Sequence, residues 1–99
     1  MAWKIYDDTI DMVQRRFQYF PDVFFWRGRR HRVQSVRRCW TTTQHGWKRS
    51  AARHYFDVEC AEGEFEVYQD VKDGTWHLRR ARLLPARVAV VRQPVPASR

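Results

Sequence analysis

The sequence predicts an all-β domain: a small antiparallel barrel of SH3-like size, or a strongly twisted sheet, of five or six strands. Three observations carry this. Apolar side chains recur at every second position through most of the chain and rarely at the three-and-four spacing of a helix. Turn signals built on glycine separate those runs. A chain of 99 residues with an apolar fraction of 43 % supports one core and little more. The expected organisation is a single domain over residues 1–83 followed by an extended or mobile basic tail over 84–99.

Taken in order, Ile10, Met12 and Gln14 mark a first strand, and Pro21-Asp22 a turn. Trp3 and Tyr6 precede the strands and are expected to pack back on the barrel. Phe24 and Trp26 alternate up to Gly28, and His31 and Val33 alternate after it. A Gly28-Arg29 turn would pair Trp26 with His31 and Phe24 with Val33 on the core face. The spacing Val33, Val36, then Cys39 or Trp40 slips by one from strict alternation, which marks a bulge that bends a strand around a small barrel. Thr41 to Ala52 carries no period and reads as a loop long enough to be functional.

The run from His54 to Leu83 is the most regular. Phe56, Val58 and Cys60 alternate with Tyr55, Asp57 and Glu59, and Phe65 and Val67 alternate with Glu64, Glu66 and Tyr68. A Glu62-Gly63 turn pairs Cys60 with Phe65, Val58 with Val67, and sets Glu59 against Glu66. That like-charge pair costs stability unless a neighbouring strand brings arginines beside it. Asp70-Val71-Lys72-Asp73-Gly74 ends in the Asp-Gly pair of a turn closing on a left-handed residue, and Thr75-Trp76-His77-Leu78 completes a meander. Beyond Leu83, prolines and the absence of aromatics predict the tail. Within it Val88-Ala89-Val90-Val91 is β-favouring and could add to an open barrel edge, in its own chain or in a second copy to make a homodimer, while Arg87, Arg92 and Arg99 also suit a mobile basic arm that follows a phosphate backbone.

Charge falls in blocks. The net charge is +8, with 19 Lys plus Arg against 11 Asp plus Glu, which points to an anionic partner. Arg27, Arg29, Arg30, Arg32, Arg37, Arg38, Lys48, Arg49 and Arg53 lie in a stretch without an acid. Asp57, Glu59, Glu62, Glu64, Glu66, Asp70 and Asp73 then oppose Lys72 alone, so part of the basic charge is expected to be met inside the fold by the acidic hairpin. No apolar run approaches the roughly 20 residues that cross a bilayer as a helix. The N-terminal Met-Ala-Trp-Lys-Ile-Tyr-Asp-Asp lacks the pattern of a secretory leader, so no membrane partner and a cytoplasmic address are expected.

Phe25-Trp26-Arg27-Gly28-Arg29, Arg32-Val33, Val36, Trp40, Trp47, Tyr55, Val58, Gly63, Glu66-Val67-Tyr68, Asp70, Asp73-Gly74 and Trp76-His77-Leu78 form a distinctive order of Trp, Gly and Tyr. Over residues 23–83 this order resembles a small bacterial family of unknown function. Its members occur as short stand-alone proteins, and related domains are appended to the C-terminus of Y-family DNA-polymerase-like proteins of the damage-inducible mutagenesis system. The resemblance implies a β module in DNA-damage tolerance, with a Y-family polymerase-like protein as a partner. It carries no catalytic motif.

The residues themselves argue against an enzyme. His31, His45, His54 and His77 have no metal-ligand spacing with Cys39 or Cys60, both of which read as buried thiols. The carboxylates Glu59 and Glu66 have no accompanying substrate pocket, and no glycine-rich phosphate loop is present. No cofactor or metal is expected. Trp26, Trp40 and Trp76 fall on or near core faces, whereas Trp47 sits beside Lys48 and Arg49 in the aperiodic stretch. The strongest functional signal is the Gly28 hairpin, where Arg27 and Arg30 are expected opposite one another with Arg29 at the tip and Arg32 two residues along. Such a cluster repels itself, and it suits phosphate contact from a β-ribbon. The expected function is therefore a non-catalytic nucleic-acid-binding module, taking DNA rather than RNA, through Arg27, Arg29, Arg30, Arg32, Trp47, Lys48 and Arg49. The alternative is a protein-interaction module that docks an acidic or extended peptide of a DNA-repair partner.

Overall fold

The computed structural model describes residues 2–45 and 50–84. Six strands follow one another: β1 (Lys4–Arg16), β2 (Phe20–Trp26), β3 (Arg29–His45), β4 (Ser50–Cys60), β5 (Gly63–Asp70) and β6 (Trp76–Leu83). Each pairs antiparallel with the next, and β6 pairs back onto β1, so the ring closes as a barrel. Among the described residues no helix is long and apolar enough to cross a membrane.

Alternation along the strands fills the interior. Phe24, Phe56, Phe65 and Leu78 are fully buried, and Val58, Val67, Trp26 and Trp76 complete the same core. Phe56 and Trp76 meet at 5.6 Å between ring centroids, and Trp26 packs on Phe65 at 5.9 Å. Burial of such rings dominates the stability of a domain this small. The first strand is longer than its apolar signal. It begins at Lys4 and includes Tyr6, whose ring meets Trp26 edge-on at 4.8 Å. A bulge explains why its early part is hard to read: Asp7 adopts a φ of 54°, and the pairing with β6 slips between Ile5 and Asp8.

Two hairpins turn one residue earlier than the glycines indicate. The β2–β3 turn is Arg27-Gly28, so Phe24 faces His31, Phe25 faces Arg30 and Trp26 faces Arg29. Both turn residues have positive φ, 54° and 77°, the requirement of a type I′ turn whose twist matches its strands. The glycine is therefore the second turn residue. In the β4–β5 hairpin the turn is Ala61-Glu62, which pairs Cys60 with Gly63, Val58 with Phe65 and Phe56 with Val67. Gly63 is placed in the strand by the close passage of β6. A Cβ there would lie 2.3 Å from the Arg82 carbonyl oxygen, leaving no space for a side chain. The Asp70–Gly74 turn closes as expected, with Gly74 at a φ of 75° and its N–H donating to the Asp70 carbonyl at 2.8 Å.

Thr41 to Ala52 is not a loop of a dozen residues. Thr41 faces His54, Thr42 faces Arg53 and Thr43 faces Ala52, so β3 and β4 continue past the barrel as a ribbon. Bulges in β3 do occur where the apolar spacing slips, between Val33 and Ser35 and between Val36 and Arg38. They bend the strand from the ring into the ribbon.

Candidate nucleic-acid interface

On the outer face, like-charged pairs sit between β4 and β5: Glu59 opposite Glu64, and Asp57 opposite Glu66, rather than Glu59 opposite Glu66. Arginines from both flanking strands close over them. Arg37 of β3 reaches Glu59 and Glu64, and Arg82 of β6 binds Glu64 from the other side. Arg80 and Arg79 donate to the buried carboxylate of Glu66 at 2.9 and 3.3 Å. Arg38 lies 3.8 Å from Asp57, whose carboxyl is nevertheless pushed above the ordinary range, first by burial. Trp3 folds back as expected, under the guanidiniums of Arg80 and Arg82. The acidic hairpin is thus neutralised by β3 and β6, and those five arginines serve the sheet.

The cluster at the Arg27-Gly28 turn differs. Arg27 is at the tip, not opposite Arg30, and its Nε donates to Asp8 Oδ2 at 2.9 Å, an oxygen that also accepts from Trp26 Nε1 at 2.7 Å. These two donors, Trp26 first, hold the Asp8 carboxyl below the usual carboxylate range. The Arg27 guanidinium also lies over the Tyr6 ring at 4.8 Å. Arg29, Arg30 and Arg32 are exposed and form no ion pair among the described residues. The residues outside that range contain no Asp or Glu. Trp47, Lys48 and Arg49 lie outside the described residues, as does the expected tail beyond Leu84. The structure therefore brings Arg29, Arg30 and Arg32 onto one strand and shows nothing of the other half of the expected site.

Two buried-residue expectations are corrected. Trp40 is on the outer face, half-buried, stacked on Tyr55 at 5.2 Å with Arg38 over its ring at 4.6 Å. Tyr68 and His77 extend this row across β5 and β6. With centroids 4.8–5.2 Å apart on neighbouring strands, the row forms cross-strand aromatic packing. Cys39 is exposed, although its pairing with Phe56 puts it on the core face; β2 does not extend alongside it, and among the described residues nothing covers the thiol. Cys60 is buried, and desolvation pushes its thiol up to about 12.

His31, expected on the core face, is buried against Phe24 and Phe65, with Nδ1 2.9 Å from Glu62 Oε1. The Glu62 contact is not legible in the alternation, because it joins two separate hairpins end to end.

No curated protein and no solved structure matches the chain. Residues 2–83 match the family described as "Domain of unknown function (DUF6504)", and the chain belongs to that family.

Proposed function

We propose that this domain is a non-catalytic nucleic-acid-binding module of the cytoplasm that grips the phosphate backbone through Arg29, Arg30 and Arg32. The observation that carries the reading is selective compensation. Arg37, Arg38, Arg79, Arg80 and Arg82 each meet an acid of the β4–β5 hairpin, while the three at the start of β3 meet none among the described residues. Unpaired guanidiniums in succession on an exposed hairpin repel one another, and a row of phosphates relieves that repulsion while releasing counterions. Such contacts position a module without reading bases, so binding is expected to depend on salt far more than on sequence. The resemblance to domains attached to Y-family polymerase-like proteins favours DNA and a polymerase-like partner.

The test is fluorescence anisotropy with single- and double-stranded DNA over a range of salt. Replacing Arg29, Arg30 and Arg32 by Ala is expected to flatten the duplex salt slope by about 0.9 for each phosphate that is no longer neutralised, roughly 2.7 for all three. A slope unchanged in the triple variant overturns the assignment.

A further inference from the structure

The β2–β3 hairpin carries an aromatic residue that the core does not use. Phe24 and Trp26 are buried, so two-residue alternation turns Phe25 between them to the outer face, where it remains 38 % exposed. Phe25 pairs with Arg30 of β3 on one side and with Asp11 of β1 on the other. Directly opposed residues share a face, so a row crosses three strands: a guanidinium, a phenyl ring and a carboxylate. All three are exposed. His31 is buried in the core, which puts Arg32 on the same outer face as Arg30, two residues further along β3.

The row has the order and the size of one nucleotide. Neighbouring strands lie about 4.8 Å apart, which spaces Arg30 and Asp11 by roughly 10 Å with the ring midway. A nucleotide presents an anion at one end, a flat apolar face in the middle and hydrogen-bonding groups at the far edge. Both ends of the row are uncommitted among the described residues, where neither Arg30 nor Asp11 joins an ion pair.

We propose that Arg30, Phe25 and Asp11 form a subsite for one unpaired nucleotide of single-stranded DNA. Arg30 meets the phosphate, Phe25 stacks on the base, and Asp11 accepts a hydrogen bond from an amino group at the base edge. Arg32 meets the next phosphate along the strand. The ring selects single strands, because a base inside a duplex has both faces covered by its neighbours and cannot stack on a side chain. Asp11 selects among the pyrimidines: cytosine offers its N4 amino group as a donor, whereas thymine places the O4 acceptor at that edge and meets the carboxylate unfavourably. An acidic peptide would suit Arg30 but be repelled at the Asp11 end. The inference rests on the phosphate contacts proposed above for Arg30 and Arg32, and adds the base.

Fluorescence anisotropy of the full chain with all-cytidine and all-thymidine DNA single strands, and with a duplex, tests it. The cytidine strand is expected to bind several-fold more tightly than the thymidine strand. Phe25→Leu is expected to weaken both single strands about tenfold, the loss of one stacked base. Its salt slope and duplex affinity should stay unchanged, because stacking releases no counterions. Phe25→Tyr keeps the ring and is expected to keep the affinity. Asp11→Asn should abolish the preference for cytidine, since an amide both accepts from N4 and donates to O4. Both positions are exposed, and melting temperatures equal to that of the unaltered chain verify the fold of each variant. Single-strand affinity retained in Phe25→Leu, an equal loss on the duplex, or a cytidine preference that survives Asp11→Asn overturns the subsite. If the Arg29, Arg30 and Arg32 triple variant still flattens the slope, such a result leaves the phosphate reading standing. A slope unchanged in the triple variant overturns that reading, and the row with it, because Arg30 belongs to both. Absence of binding to every strand also overturns both.

Discussion

Replacing Gly63 by alanine tests how the barrel closes at the β4–β5 corner. Gly63 has a φ of 151°, and its missing Cβ points at backbone: 2.3 Å to the Arg82 oxygen and 2.8 Å to the Leu83 Cα. Nonbonded carbons rest at about 3.5 Å or more, so β6 would have to retreat by roughly 1 Å. That movement strains the pairs Gly63 with Leu83 and Glu64 with Arg82, and the bond from the Leu84 N–H to the Glu62 carbonyl at 2.8 Å. Overpacking of this kind costs about 1–3 kcal/mol, and a backbone region reserved for glycine adds about 1–3 kcal/mol. The expected loss is about 2–6 kcal/mol, a large part of the roughly 5–15 kcal/mol that holds a domain together. Gly28→Ala is the internal control, because Gly28 has a φ of 77° but nothing within 4 Å of its Cβ position; it should lose only about 1 kcal/mol. Urea unfolding followed by tryptophan fluorescence measures both. Equal losses in the two variants would refute the close approach of β6 at this corner.

Other expectations follow from single side chains. At pH 8 a maleimide should label Cys39 and spare Cys60, whose burial pushes it up to about 12; mass spectrometry should find a second adduct only in denaturant. Asp57 is raised by burial, so the folded state holds its proton more tightly than the unfolded chain and the ionised form disfavours folding. Asp57→Asn is therefore expected to raise the melting temperature by a few degrees at pH 7, with the gain vanishing below the ordinary value of 3.8, where both states are protonated. Asp8 has the opposite sign. Its lowered carboxyl stabilises the fold above 3.8, and the benefit is lost as pH falls through the folded value. Trp26→Phe removes the donor at 2.7 Å and should move the Asp8 titration, followed by NMR, up toward 3.8.

The alternation of apolar residues by itself determined which face most strand side chains occupy, and the acid and arginine blocks indicated that the β4–β5 hairpin would be neutralised from within. Both follow from the two-residue period of a strand, which fixes a face wherever one side is buried. Register was beyond it. Moving the turns from Gly28-Arg29 to Arg27-Gly28, and from Glu62-Gly63 to Ala61-Glu62, shifts each pairing by two residues and leaves every side chain on its original face, so alternation reads the same in either case. Backbone conformation at Arg27 and the passage of β6 across Gly63 made the choice. Thr41 to Gln44 carries no period because β3 and β4 there leave the barrel as a ribbon with no core to cover. For Cys39 the alternation indicates the correct face but the wrong environment, since its exposure depends on where β2 stops pairing with β3. The separation of structural arginines from free ones was likewise a tertiary decision: Arg37 and Arg32 are alike in sequence, and only the strand lying beside each gives one an acid and leaves the other without.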